Sequence, residues 1–101
     1  MPIRPYLDCR IELSAPPGVE PKPLLAAAGS EWAGIDIAWD DRLWHGKIYV
    51  HDGVPLHQPV RRELQFVQWN KLRKQPVPGD RLGLAFGGRS VGWADVLTVI
   101  E

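Results

Sequence analysis

Residues 6 to 13 read Tyr-Leu-Asp-Cys-Arg-Ile-Glu-Leu, with Leu7, Cys9, Ile11 and Leu13 in one phase and Tyr6, Asp8, Arg10 and Glu12 in the other. Strict period-two alternation is the pattern of a strand with one buried face. It also gives Cys9 a plain role as a small buried hydrophobe. Ala15-Pro16-Pro17-Gly18 interrupts the pattern with a turn or loop. From Pro21 to Gly29 proline comes first, a Leu-Ala run follows and glycine comes last, which predicts one short helix over residues 21–29. Ile35, Ile37 and Trp39 then alternate over residues 32–39, and Asp40-Asp41-Arg42 turns the chain. Leu43 to His51 returns as a strand carrying Trp44, Ile48 and Val50, so a hairpin is expected.

Gly53 and Pro55 end that hairpin, and Pro59 keeps the following residues extended. A fourth strand is expected from Arg62 to Trp69, with Leu64 and Phe66 on one face and Val67 and Trp69 on the other. Pro76-Val77-Pro78-Gly79-Asp80 is a turn signal. Beyond it Leu82, Leu84 and Phe86 alternate, Gly87-Gly88 predicts a hairpin turn, and Ser90 to Ile100 forms the last strand. About six short strands in a chain of this length predict an all-β fold. The expected form is a small antiparallel Greek-key-like β-barrel filling residues 1–101 as a single domain, with the one short helix near residues 21–29.

Composition agrees with that pattern. Ten prolines and ten glycines in 101 residues break long helices, and 45% hydrophobic with 24% charged residues is an ordinary globular mixture. No run approaches the roughly 18 apolar residues that span a bilayer, so no membrane partner is expected. No apolar signal core follows Met1-Pro2-Ile3-Arg4-Pro5, and Cys9 is the only cysteine, so a cytoplasmic location is expected. Net charge is zero, but its distribution is uneven. Between Glu12 and Asp52, the acids Glu12, Glu20, Glu31, Asp36, Asp40, Asp41 and Asp52 outnumber the bases Lys22, Arg42 and Lys47. Between Arg61 and Arg89, the bases Arg61, Arg62, Lys71, Arg73, Lys74, Arg81 and Arg89 outnumber the acids Glu63 and Asp80. A charge dipole of this kind orients partners.

Candidate chemistry is that of binding. Arg61, Arg62, Lys71, Arg73 and Lys74 are interleaved with Phe66 and Trp69, a mixture that suits single-stranded nucleic acid as well as a basic loop over core aromatics. Gly87-Gly88-Arg89 presents backbone amides and a guanidinium suited to a phosphate or carboxylate, and equally reads as a tight hairpin turn. Five tryptophans exceed what a core of this size needs, so at least one is expected at the surface. Trp44 and Trp39 flank the same turn and are candidates to share that surface. His45, His51 and His57 recur at even spacing, but Gly53 and Pro55 break any common strand, so no metal site is expected. No serine or threonine sits in a nucleophile motif, so neither a catalytic role nor a cofactor is expected.

Residues 76–101 carry Pro78-Gly79-Asp80, then Gly87-Gly88-Arg89-Ser90-Val91-Gly92, then the apolar strand Val96 to Ile100. In that order these motifs resemble the end of the third domain of elongation factor Tu. Residues 14–60 have no counterpart in the resemblance, and Phe86 stands where that family carries an acidic residue. No Gly-x-x-x-x-Gly-Lys-Ser/Thr loop occurs in these residues, so no GTP-binding domain is expected among them. The resemblance implies a Greek-key barrel that offers a surface to protein partners and touches the transfer-RNA backbone near Gly87. The expected function is therefore a non-catalytic protein-binding module that mimics or regulates that domain. The alternative is an RNA-binding accessory protein of translation. The expected binding residues are Trp44, Arg61, Arg62, Trp69, Lys71, Arg73, Gly87, Gly88 and Arg89. A shortened barrel would leave an open strand edge, which a homodimer would cover.

Overall fold

The computed structural model describes residues 5–14, 32–49 and 54–101. The expected helix at 21–29, together with Val50 and His51, lies outside the described residues. The strands are β1 (Tyr6–Leu13), β2 (Trp32–Trp39), β3 (Arg42–Tyr49), β4 (Val60–Phe66), β5 (Arg81–Phe86) and β6 (Arg89–Ile100). A 3-10 turn at Trp69–Lys71 is the only helical element among the described residues. None of the described helical structure is long and apolar enough to cross a membrane.

All six strands close into one antiparallel barrel in the ring order β1-β4-β3-β2-β5-β6. Strands β2, β3 and β4 run as neighbours while β5 returns beside β2, which is the Greek-key connection. Closure gives every strand two neighbours, so the open edge expected from the shortened sequence is not present.

The core follows the alternation. Leu7, Cys9, Ile11 and Leu13 of β1 are fully buried, as are Ile37, Ile48, Leu64, Leu82 and Ala94 from the other strands. Each fully buried Leu or Ile stabilises the fold by roughly 1.5–3 kcal/mol relative to an exposed one. Alternation misleads at two strand ends. β4 stops at Phe66, and the chain folds back so that Trp69 packs on Phe66 with ring centroids 6.1 Å apart. The apparent two-faced strand at 62–69 is thus a strand followed by a turn. Phe86 keeps the sequence phase of Leu82 and Leu84, but the β5–β6 register shifts between Leu84 and Ala85, and Ala85 is buried while Phe86 is exposed.

The turns match their sequences. Val77–Asp80 is closed by the Asp80 amide donating to the Val77 carbonyl at 3.0 Å, with Gly79 at φ 97°. Proline then glycine at the two central positions is the type II preference. The β2–β3 hairpin turns through Asp40 and Asp41 at φ 52° and 62°, a left-handed pair typical of two-residue hairpins. An L-residue pays for that conformation, and glycine is the favoured occupant of the second position. Asp41→Gly is therefore expected to stabilise the barrel by about 0.5–1 kcal/mol, a rise of roughly 4 °C in thermal denaturation.

Candidate binding surface at one end of the barrel

The registers sort the loops onto two ends. One end carries the Asp40-Asp41 turn, the close of β4, the 3-10 turn, the segment 72–80 and the start of β5. The other carries the end of β1 and the Gly87-Gly88 turn. The expected binding residues therefore do not form one site. Lys71 and Arg73 are exposed at the first end, whereas Gly87, Gly88 and Arg89 are exposed at the second. Gly87 and Gly88, at φ 58° and 80°, are the turn itself.

Arg61 and Arg62 point to opposite sides of β4. Arg61 lies on the outer face, where its guanidinium grips both oxygens of Asp8, with Nε at 2.9 Å from each. Those hydrogen bonds raise its pKa further above the ordinary arginine value. Arg62 shares the inward phase of Leu64 and Phe66, stands opposite buried Cys9, and donates from Nη1 to the Arg61 carbonyl at 2.8 Å. They do not present a joint basic face.

Trp44 and Trp69 are core residues, 9% and 8% exposed. Trp44 is buried because it shares the inward phase of Ile48 on β3. No described tryptophan is fully exposed; Trp32, Trp39 and Trp93 are half-buried. Trp39 and Trp44 do adjoin, as the flanked turn implied. Trp44 Nε1 donates to the Trp39 carbonyl at 3.0 Å, and Trp39 Nε1 donates to the Lys74 carbonyl at 2.6 Å. The second bond ties the segment 72–80 to the β2–β3 hairpin.

Around this end runs a shallow trough. An open groove of about 660 Å³ is lined by Trp39, Arg42, Leu43, Lys74 and Arg81, among others. It shares Arg42 and Leu43 with a depression of about 430 Å³ that reaches Gln68 and Lys71. Gln68 and Lys71 in turn line a third depression, of about 470 Å³, beside Val67. Leu43 is 58% and Val67 55% exposed. The Val67 amide bonds to the His45 carbonyl at 3.0 Å, which fixes it against the strand that carries Leu43. The Arg42 guanidinium lies 5.6 Å from the Trp44 ring centroid and the Lys74 ammonium 5.5 Å from that of Trp39. Arg81 rests 4.3 Å over Trp93 and is bidentate to Asp95, at 2.7 and 3.1 Å. That pairing holds the Asp95 carboxyl below its usual range.

Arg42, Leu43, Val67 and Arg81 are absent from the binding residues expected from sequence. Leu43 was within reach, because it is out of phase with Trp44, Gly46 and Ile48. No local signal marks Val67 or Arg81, whose placement depends on which strands become neighbours.

Other candidate chemistry stays dispersed. His45 faces Asp36 across β2–β3 at 3.5 Å on the outer wall, while His57 follows the parallel bridge between Leu13 and Leu56. Burial, reinforced by Asp8 and Asp95, pushes the Cys9 thiol up to about 12, so it stays protonated and unreactive at neutral pH. The class that the fold and this surface define is a small closed antiparallel β-barrel with a cation-rimmed trough at one end that exposes Leu43 and Val67. No protein-family model, curated protein or solved structure matches the chain.

Proposed function

We propose that this chain is a non-catalytic binding module that docks a protein partner in the trough at the Asp40–Leu43 end of its barrel. The observation that carries this reading is the pair of exposed aliphatics, Leu43 and Val67, in adjoining depressions of a trough lined also by Arg42, Lys71, Lys74 and Arg81. An apolar centre beside tryptophan and arginine, with a polar rim, is the composition of interface hot spots. The barrel architecture and the turns at Pro78-Gly79-Asp80 and Gly87-Gly88 support a stand-alone likeness of the third domain of elongation factor Tu. A module of that kind would compete with or regulate the full factor at a shared partner, in the cytoplasm where translation takes place.

The test is capture from the chain's own cell extract with the tagged protein and the variant Leu43→Ser with Val67→Ser. Both substitutions remove exposed side chains, so folding is retained. A partner that survives RNase treatment and is lost with the variant supports protein docking. Equal capture by both forms removes the trough from the function. Partners that vanish on RNase treatment, with RNA recovered, transfer the function to RNA binding in translation.

A further inference from the structure

Resting on the docking reading above, we infer that the segment seated in the trough is acidic, with carboxylate side chains flanking an apolar residue that packs on Leu43. Arg42 and Lys74 line the same groove as Leu43. Among the described residues, neither has a carboxylate within ion-pair distance, and the same holds for exposed Lys71 and Arg73. Two of the acids at this end are already engaged. Asp95 is engaged by Arg81, and Asp80 accepts the Val77 amide at 2.9 Å. Asp40 and Asp41 are exposed in the turn and, among the described residues, are the acids that line the groove. The cationic side chains therefore outnumber them along the trough.

These cations are also held in position. Arg42 and Lys74 lie over Trp44 and Trp39, and both indoles are anchored by hydrogen bonds to backbone carbonyls. A long side chain already resting on a fixed ring loses less rotamer freedom when it meets a ligand. Exposed cations without a carboxylate partner, laid beside exposed aliphatic side chains, complement carboxylates alternating with an aliphatic side chain.

The same contacts disfavour a nucleic acid. Single-strand binding relies on open aromatic faces that stack on bases. Here a base would have to displace Lys74 from Trp39 or Arg42 from Trp44 before it could stack. A carboxylate needs only to approach the cation from the solvent side.

The test measures anisotropy of a fluorescein-labelled twelve-residue peptide of repeated Glu-Glu-Leu against the whole chain. A Lys-Lys-Leu peptide and a twelve-nucleotide uridine oligomer are the comparisons. The acidic peptide is expected to bind most tightly, more weakly at 0.5 M salt. Arg42→Glu with Lys74→Glu is expected to weaken it about tenfold or more, while Arg89→Glu at the opposite end leaves it unchanged. An unaltered thermal denaturation midpoint checks that the double variant is folded, and Arg42→Gln with Lys74→Gln reports the same contacts without introduced acids. Equal binding of the acidic and basic peptides, or unchanged affinity in both double variants, overturns the inference. Tighter binding of the uridine oligomer overturns it in favour of RNA. If capture from extract is lost with Leu43→Ser and Val67→Ser but not with the charge variants, docking stands and the acidic partner falls. If neither pair matters, both readings fall.

Discussion

Gly92→Ala is expected to lower the thermal denaturation midpoint by roughly 15 °C. Gly92 stands opposite Leu13 in the β1–β6 ladder. A Cβ at this position would collide with the carbonyl oxygen of Glu12 and lie 3.0 Å from Leu13 Cα. Both are backbone atoms, so no rotamer change relieves the clash. Relief requires β1 and β6 to separate, across a ladder that runs from Tyr6 paired with Ile100 to Leu13 paired with Gly92. Overpacking that moves backbone costs roughly 3 kcal/mol, a large fraction of the 5–15 kcal/mol that stabilises a typical domain. Gly34→Ala is the control, because a Cβ there meets nothing within 4 Å. Calorimetry that finds Gly92→Ala no less stable than Gly34→Ala would show that β1 and β6 lie further apart than described. The expected result also bears on the Gly-Gly-Arg-Ser-Val-Gly segment. Its last glycine is required by strand packing and its first two by the turn, so none of the three needs a bound ligand to explain it.

Much of the fold was legible because alternation and turn chemistry are local. The phase of Leu7, Cys9, Ile11 and Leu13 placed β1 at its observed bounds. The pairs Asp40-Asp41 and Gly87-Gly88 and the Pro78-Gly79 turn marked reversals that the backbone makes with positive φ, which the glycines adopt freely and the aspartates tolerate. The close of β4 was not legible, because the fold-back of Trp69 onto Phe66 is a tertiary contact that imitates a second strand face. Less of the surface could be read. Lys71 and Arg73 lie at the trough end, but Gly87-Gly88-Arg89 lies at the other, and only the ring order β1-β4-β3-β2-β5-β6 decides that separation. Non-local pairing leaves no mark in a short window of sequence. Some of the missed signal was nonetheless present. Trp44 shares the phase of Ile48 and Arg62 that of Leu64, so alternation taken strictly assigns both inward and leaves Leu43 and Arg61 outside.

Leu64→Ala is expected to cost about 3 kcal/mol and to loosen one seam of the barrel ahead of the rest. Leu64 is fully buried and is the register partner of both Leu7 on β1 and Ile48 on β3. Truncation therefore opens a cavity where three strands meet. Among the described residues the β3–β4 ladder spans Gly46–Phe66, Lys47–Gln65 and Ile48–Leu64, whereas β1 pairs with β6 from Tyr6 to Leu13. A short ladder that loses its central apolar contact is the natural place for local opening. Amide hydrogen exchange in the variant should show protection lost first at the β3–β4 pairs and retained longest along β1–β6. The trough is built on the start of β3 and the close of β4, so binding should weaken at temperatures below global unfolding. Uniform loss of protection across all six strands would instead mean that the barrel opens only as a whole. The seam would then exert no separate control over the surface that it supports.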